Sequence, residues 1–405
     1  MPAASVLDPL AVERVTGMNR KDAGDFLFED APPVGLQKRL GLLRTGQLNA
    51  GRRALLVVLV GWAPLVVLAA VQSMTARVDV LTPLLWEVGA HARYLIAAPL
   101  LVLAEAVCVP QLSEIVRHFA GSGIVDDQDR GRLEAAIDST RRWLRSNAVE
   151  VIAIVLAYLV AAAAAISYPL DQLPAWAAPV GGMPRYSLAG WWHTLVSLPL
   201  LVLLILGWCW RLALWTRLLW RISRLELRLV ASHPDHCAGL SFLGHSVRAF
   251  AIVAMALAVI VAGRSAHLVL AGGALPTQHF LFNAGLLAAI AVLFVAPLLV
   301  FIPTLVHAWQ RGTLAYDALA DQVGHAFERK WLSQNVDKSA LEKPDFSATT
   351  DLYGVVANVH AIRFVPVDLK DVIPLVAAML LPFVPVVLLA FPLDAIWGHL
   401  KSLLF

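Results

Sequence analysis

The chain is short of charge. Only 15% of its 405 residues are Asp, Glu, Lys or Arg, where a soluble domain carries about a quarter. Hydrophobic residues reach 59%, which fits a chain whose surroundings are themselves largely apolar. The formal net charge is only +3, with no basic tail and no RNA-binding signature, so nucleic acid is not an expected partner. Cysteine is scarce as well. Cys108, Cys209 and Cys237 are an odd number at scattered spacing and make no disulfide framework. The first 50 residues lack an apolar core beside a small-residue cleavage site, so no cleavable signal peptide is expected. Walker, His-Glu-x-x-His, Gly-x-Ser-x-Gly and kinase signatures are all missing. Their absence leans against an enzyme without excluding one, and no cofactor is expected. No internal repeat is evident, which leaves an inverted-repeat transporter without support.

What the chain does have is long apolar runs. Seven can cross about 30 Å of hydrocarbon, at residues 54–72, 94–110, 149–168, 190–210, 249–271, 282–305 and 372–393. The expected fold is therefore all-α: a polytopic bundle of about seven transmembrane helices with a cytoplasmic helical layer. The last run holds Pro374, Pro382, Pro385 and Pro392 and must kink.

Basic residues orient the bundle. Segments 1–53, 111–148, 211–248 and 306–371 hold 8, 6, 6 and 7 of them. The alternate segments hold Arg77, Arg93, Arg185 and Lys401, and Arg264 falls within a run. This positive-inside bias puts the N-terminus in the cytoplasm and the C-terminus in the periplasm. The alanine-rich, arginine-over-lysine composition points to a bacterium, hence to its inner (cytoplasmic) membrane. The organisation expected is a cytoplasmic tail over 1–53 with an amphipathic helix near 35–47, a bundle over 54–393 with cytoplasmic extensions at 111–148, 211–248 and 306–371, and an outer tail over 394–405. Segment 333–350 reads as a flexible loop.

Three constellations carry candidate chemistry. The first is intramembrane. Counting from Tyr94 puts Glu105 about 16 Å below the outer boundary, with Arg264 about 10 Å below it. A Glu105–Arg264 ion pair is expected, with His267 one turn on as a relay. Ionisable groups at such depth cost about 2.5–3.5 kcal/mol on insertion scales and mark solute or ion routes; a packing-only ion pair is the equal alternative. The second is the arginine row Arg217, Arg221, Arg224 and Arg228, spaced 4, 3 and 4, expected on one face of an amphipathic helix that continues the fourth run into the cytoplasm. It suits anionic lipid or a partner protein, although positive-inside bias alone also predicts it. The third is Ser232-His-Pro-Asp-His-Cys-Ala-Gly239. His233, Asp235, His236 and Cys237, with His245 beyond, are chemically able to bind zinc. The spacing fits no standard finger, and Pro234 and Gly239 favour a plain turn.

From the fourth run onward, "HPDHCAGLSFLG" (233–244), "FERKWL" (327–332), "ATTDLYGVV" (348–356), "RFVPVD" (363–368) and "LLPFVPVVLLAFPL" (380–393) resemble a family of uncharacterised bacterial multi-pass membrane proteins. The resemblance covers roughly residues 221–393 and implies the architecture, not a substrate. Ala238 stands where the family pattern has a glycine. The functional expectation is transport or channel activity for a small solute or ion. The alternative is a membrane sensor or scaffold engaging a cytoplasmic partner or anionic lipid; a metal-dependent membrane enzyme ranks third. Expected partners are membrane lipids, with a homo-oligomer or a cytoplasmic protein left open.

Overall fold

The computed structural model describes residue 28 and residues 50–167, 169, 173–180, 185–272, 279–332 and 345–390. Residues 35–47 and the tail 394–405 lie outside them. The protein is an all-α polytopic membrane protein. Six helices are long and apolar enough to cross a membrane: Ala50–Ala76, Val88–Gly121, Asn147–Ser167, Leu188–Ile222, Ser241–Leu270 and Phe280–Trp331. Helices Leu369–Leu380 and Phe383–Ala390 meet at a 46° bend, and the pair is long and apolar enough to make a seventh span if the two act as one. The bend falls at Leu381-Pro382, where proline removes a donor and crowds the preceding turn. Several spans continue well past the apolar runs, because helices leaving the bilayer propagate on into a water-facing layer.

The connections after the second, fourth and sixth spans touch one another and define a basic end. Val125 and Leu227 form an antiparallel bridge, Ser232 Oγ and Tyr316 Oη share a 3.0 Å hydrogen bond, and the Arg363 N–H donates to His236 O at 2.8 Å. At the opposite, far end the connections after the first and third spans meet where Trp176 Nε1 donates to Glu87 Oε2 at 3.3 Å, and the Leu188 N–H of the fourth span donates to Gln72 Oε1 of the first at 2.7 Å.

Two sequence expectations fail at the basic end. The fourth span does not continue as a helix to Ser232; it stops at Ile222. Beyond it, Leu225, Leu227 and Leu229 pack half-buried against the core while Glu226, Arg228 and Val230 are exposed. That is a period of two, the signature of an extended chain. The segment finds backbone partners in 124–126: Arg228 N–H to Ile124 O at 2.7 Å and Asp126 N–H to Glu226 O at 3.3 Å. Asp129 Oδ2 also accepts the Glu226 N–H at 2.7 Å. Second, residues 345–350 are not loop; they open the helix Asp345–His360, held to the sixth span by Lys330–Asp345 and by His360 Nε2 to Asp317 Oδ1 at 2.8 Å.

Residues 233–239 form a tight turn. His236, Ala238 and Gly239 have φ of 53°, 54° and 93°. A side chain in the left-handed region costs about 1–2 kcal/mol, and glycine escapes that cost. Ala238 therefore sits at a position where glycine would be free of strain. Ala238→Gly should raise the thermal unfolding midpoint in detergent, by about 0.5–1 kcal/mol of stability. Ala238→Val should lower it.

Candidate functional site

Ionisable and polar side chains gather in two layers, one toward each end of the bundle. Glu105 belongs to the basic-end layer. It is buried, with Oε2 2.6 Å from Arg53 Nη1 and Oε1 2.6 Å from Arg211 Nη2. All three side chains are nearly inaccessible. Arg53 precedes the first apolar run and Arg211 follows the fourth, so the triad lies near the basic boundary and not at mid-depth. The second span begins at Val88, which puts Glu105 about 26 Å along the helix from that end; counting from Tyr94 placed it too shallow. One carboxylate thereby joins three spans, with the Arg211 guanidinium 4.9 Å from the Trp208 ring.

Arg264 is not its partner. It is exposed and makes no ion pair among the described residues. The expected Glu105–Arg264 pair is thus overturned, because the two groups belong to opposite layers. His267, one turn on, has its own acid: Nδ1 lies 3.1 Å from Glu87 Oε1.

Glu87 anchors the far-end layer, and the local chain explains its position. It sits between helices Leu81–Leu85 and Val88–His91, at φ −80° and ψ 79°. Gly89 leaves room beside it, since a Cβ there would lie 3.1 Å from Glu87 Oε1. Gly263 lets the fifth span close on Ala92, as a Cβ at 263 would collide with the alanine methyl. Small residues thereby bring His267 within reach of Glu87. The other Glu87 oxygen accepts from Trp176 Nε1 at 3.3 Å. Trp176 is positioned by Ser187, which caps the helix Leu188–Trp192 through the Gly190 N–H and donates to Trp176 O at 2.6 Å.

Immediately beneath, three spans depart from α geometry. The second and fourth each take a π turn, at Ala92–Ala97 and His193–Ser197, and the first breaks at Trp62 before Pro64. Both π turns lead into the same five residues, Pro-Leu-Leu-Val-Leu, at 99–103 and 199–203. Tyr94 Oη and His193 Nδ1, one from each π turn, share a 2.9 Å hydrogen bond, and the Trp176 ring stands edge-on to His193. Pro64 cannot donate to Val60 O; Trp192 Nε1 does so instead, at 3.0 Å. Ser197 Oγ donates to Gly61 O at 2.7 Å, and Trp62 Nε1 to His91 Nδ1 at 2.9 Å. Neighbouring helices thus satisfy the backbone that broken helices leave open, the condition for irregular chain at membrane depth. Such bulges recur at functional sites.

The remaining sequence candidates fall at the basic end, dispersed over several local contacts. Arg217 Nη2 donates to Ser139 Oγ at 2.9 Å, Arg221 is half-buried, Arg224 stacks over Trp220, and Arg228 pairs with Asp126 at 2.9 Å. Because the helix ends at Ile222, the four do not share one helical face. In the turn, Asp235 Oδ1 accepts the Cys237 and Gly239 N–H groups at 2.8 and 3.1 Å, and Oδ2 the Ser241 N–H at 3.0 Å. His233 Nδ1 lies 2.8 Å from Oδ1. Arg363 Nη2 donates to Asp235 O at 3.1 Å. The carboxylate is committed to shaping the turn, and burial pushes the Cys237 thiol up to about 11 although Arg363 opposes it. A protonated thiol is a poor zinc ligand. Among the described residues no group of three or more His, Cys, Asp or Glu side chains is arranged to hold a metal.

Sequence reasoning missed Arg53, Arg211, Glu87, Trp176, Tyr94 and His193. The two arginines were counted as charges outside the spans. Glu87 was passed over in the connection before the second run, although an acid between Trp86 and Val88 in so apolar a stretch was a usable signal.

Removing one member of the triad leaves buried charge unpaired, which costs about 3–5 kcal/mol. Glu105→Gln should therefore lower stability by about that amount in an SDS-titration unfolding assay, and Arg264→Gln should leave it nearly unchanged. For Asp235, burial raises the pKa, but the N–H groups of Cys237, Ser241 and Gly239, with His233, outweigh it and hold the group below its usual 3.8. A depressed folded value means that its stabilisation is present above about pH 4 and is lost as pH falls through the folded value. Between pH 5 and 2.5 the wild-type unfolding midpoint should fall more steeply than that of Asp235→Asn.

No family model, curated protein or solved structure matches the chain.

Proposed function

We propose that this multi-pass membrane protein is of permease or channel type and passes a small solute or ion across a bacterial inner membrane. In this reading the basic end lies in the cytoplasm, as its arginines favour. The observation that carries the proposal is the far-end layer: a buried carboxylate, Glu87, is reached from the surface through a partly exposed histidine, His267, directly above three spans whose helices are interrupted at one level. Interrupted helices beside an embedded acid are the usual ingredients of a solute site within a membrane. Glu87 and Glu105 are 18 positions apart, about 27 Å along the second span, and the helix between them turns mainly apolar residues inward, among them Leu101, Val102 and Ala104. The triad then acts as the closed seal at the cytoplasmic side, and Glu87 with His267 as the solute-facing pair. Glu105 and His267 thus stand at two levels of the proposed path, and Arg264, which is exposed, takes no part in it.

A second reading, a sensor or scaffold, is favoured by one feature. The hairpin of Ile302–Trp331 and Asp345–His360 exposes Leu314, Leu319, Leu332 and Phe346, an apolar surface suited to a cytoplasmic partner, a second copy or lipid. A metal-dependent enzyme has the least support, since the Asp235 carboxylate is already occupied by backbone donors.

Proteoliposomes loaded with a pH-sensitive dye and driven by a potassium–valinomycin potential test the first reading with protons and alkali cations as probes. Flux above that of empty vesicles is expected, reduced at least about ten-fold by Glu87→Gln and unchanged by Arg264→Gln. Flux equal to empty vesicles for every probe, or full flux in Glu87→Gln, would count against it.

A further inference from the structure

Of the four arginines that follow the fourth apolar run, two are already placed. Arg228 is neutralised by Asp126 at 2.9 Å, and Arg224 lies over the Trp220 ring. Arg217 and Arg221 differ, since neither makes an ion pair among the described residues. Arg217 gives one N–H to Ser139 Oγ at 2.9 Å, while its Nη1 is enclosed and has no hydrogen-bond partner. An enclosed donor left unmade is costly, more so on a charged group, and an arriving anion relieves that cost.

The surroundings of these arginines form a notch. Trp210, Ala213, Arg217 and Arg221 are spaced 3, 4 and 4 along the helix Leu198–Ile222, hence on one face. The helix Arg130–Leu144 packs beside them and is tied to them at two rungs. Ser139 meets Arg217, and one turn on Trp143 stands edge-on to Trp210, with ring centroids 6.1 Å apart. Between the rungs stands Ala213, small and exposed. Helical side chains lean toward the helix N-terminus, so Arg217 leans back over Ala213 toward the membrane. At the other lip, Trp210 Nε1 is a second enclosed donor without a partner.

Depth decides the ligand. Trp210 adjoins Arg211 of the triad at the basic boundary, the level that tryptophan favours. The notch thus opens where phospholipid phosphates lie. The helix Arg130–Leu144 leads into the third span, which turns Ile152, Val155 and Leu159 outward as an apolar wall for acyl chains. Two guanidiniums with no acid between them attract a headgroup of net negative charge and repel the ammonium of a zwitterionic one.

We infer that this notch binds an anionic phospholipid of the leaflet at the basic end, its phosphate held by Arg217 and Arg221 beside the Trp143–Trp210 pair. The site stands apart from Glu87 and His267 and does not depend on whether the bundle conducts a solute.

Native mass spectrometry of the full-length protein in detergent, titrated with dioleoyl phosphatidylglycerol or dioleoyl phosphatidylcholine, tests this. Wild type should bind the anionic lipid at least about ten-fold more tightly than the zwitterionic one. The double variant Arg217→Gln with Arg221→Gln should lose that preference. Arg311→Gln with Arg329→Gln, which removes the same charge from exposed positions at the same end, should keep it. Ala213→Phe retains both arginines but fills the notch, so it should also lose the tight binding, whether or not the arginine variant folds. Full phosphatidylglycerol binding by the Arg217 and Arg221 variant or by Ala213→Phe overturns the site and leaves the arginines to a partner protein. An equal loss in the Arg311 and Arg329 control reduces the preference to net charge and overturns it as well. Inorganic phosphate binding as tightly as the lipid makes the notch a site for a free anion and overturns the lipid assignment.

Discussion

One carboxylate between two guanidiniums holds the basic half of this bundle together. Glu105 comes from the second span, Arg53 from the start of the first and Arg211 from the fourth, and both contacts are 2.6 Å long. A lone buried acid at this depth would be strongly disfavoured. So would either arginine without its counter-charge. The three spans must therefore meet in one register, because sliding any of them by a turn leaves a charge unpaired in a poor solvent. The triad is better regarded as a constraint on packing than as a source of net stability, since desolvation consumes much of the attraction between buried ions.

Fixing the spans at the basic end leaves irregularity to the far end. There the second and fourth spans widen into π turns and the first breaks ahead of Pro64. Side chains of neighbouring helices take up the backbone groups that regular helices would have used: Trp192 on Val60 O and Ser197 on Gly61 O. The Tyr94–His193 hydrogen bond couples the two π turns directly. In this layer side chains stand in for backbone partners, whereas the triad is held by direct ion pairs. That contrast is the reason for assigning solute handling to Glu87 and His267 and closure to Glu105.

The architecture was largely legible in the sequence, because hydropathy reports directly on the solvent a helix can tolerate. Even the bend of the last span followed from Pro382. Charge partners were not legible. Depth along a helix predicts which groups are level only if the helix start is known, and the second span began six residues earlier than the apolar run suggested. Arg53 and Arg211 were treated as loop charges because each sits at the edge of an apolar run, although long side chains there can as well turn inward. The row from Arg217 to Arg228 misled through its spacing. Four arginines at helical intervals outvoted the Leu-x-Leu-x-Leu alternation at 225–229, which was the true signal. The His-Pro-Asp turn shows the converse. Its residue types suggest a metal, but its geometry is that of a carboxylate gathering backbone N–H groups between two helices.

The central claim is that Glu105 is paired with Arg53 and Arg211 and not with the far-end arginine. Double-mutant cycles on the unfolding free energy measure this directly, using Glu105→Gln with Arg53→Gln, with Arg211→Gln and with Arg264→Gln. The account predicts coupling within the 0.5–3 kcal/mol range of contacting residues, about 1 kcal/mol or more, for the first two pairs, and additivity within about 0.5 kcal/mol for the third. Coupling to Arg264 together with additivity toward Arg53 and Arg211 would contradict it.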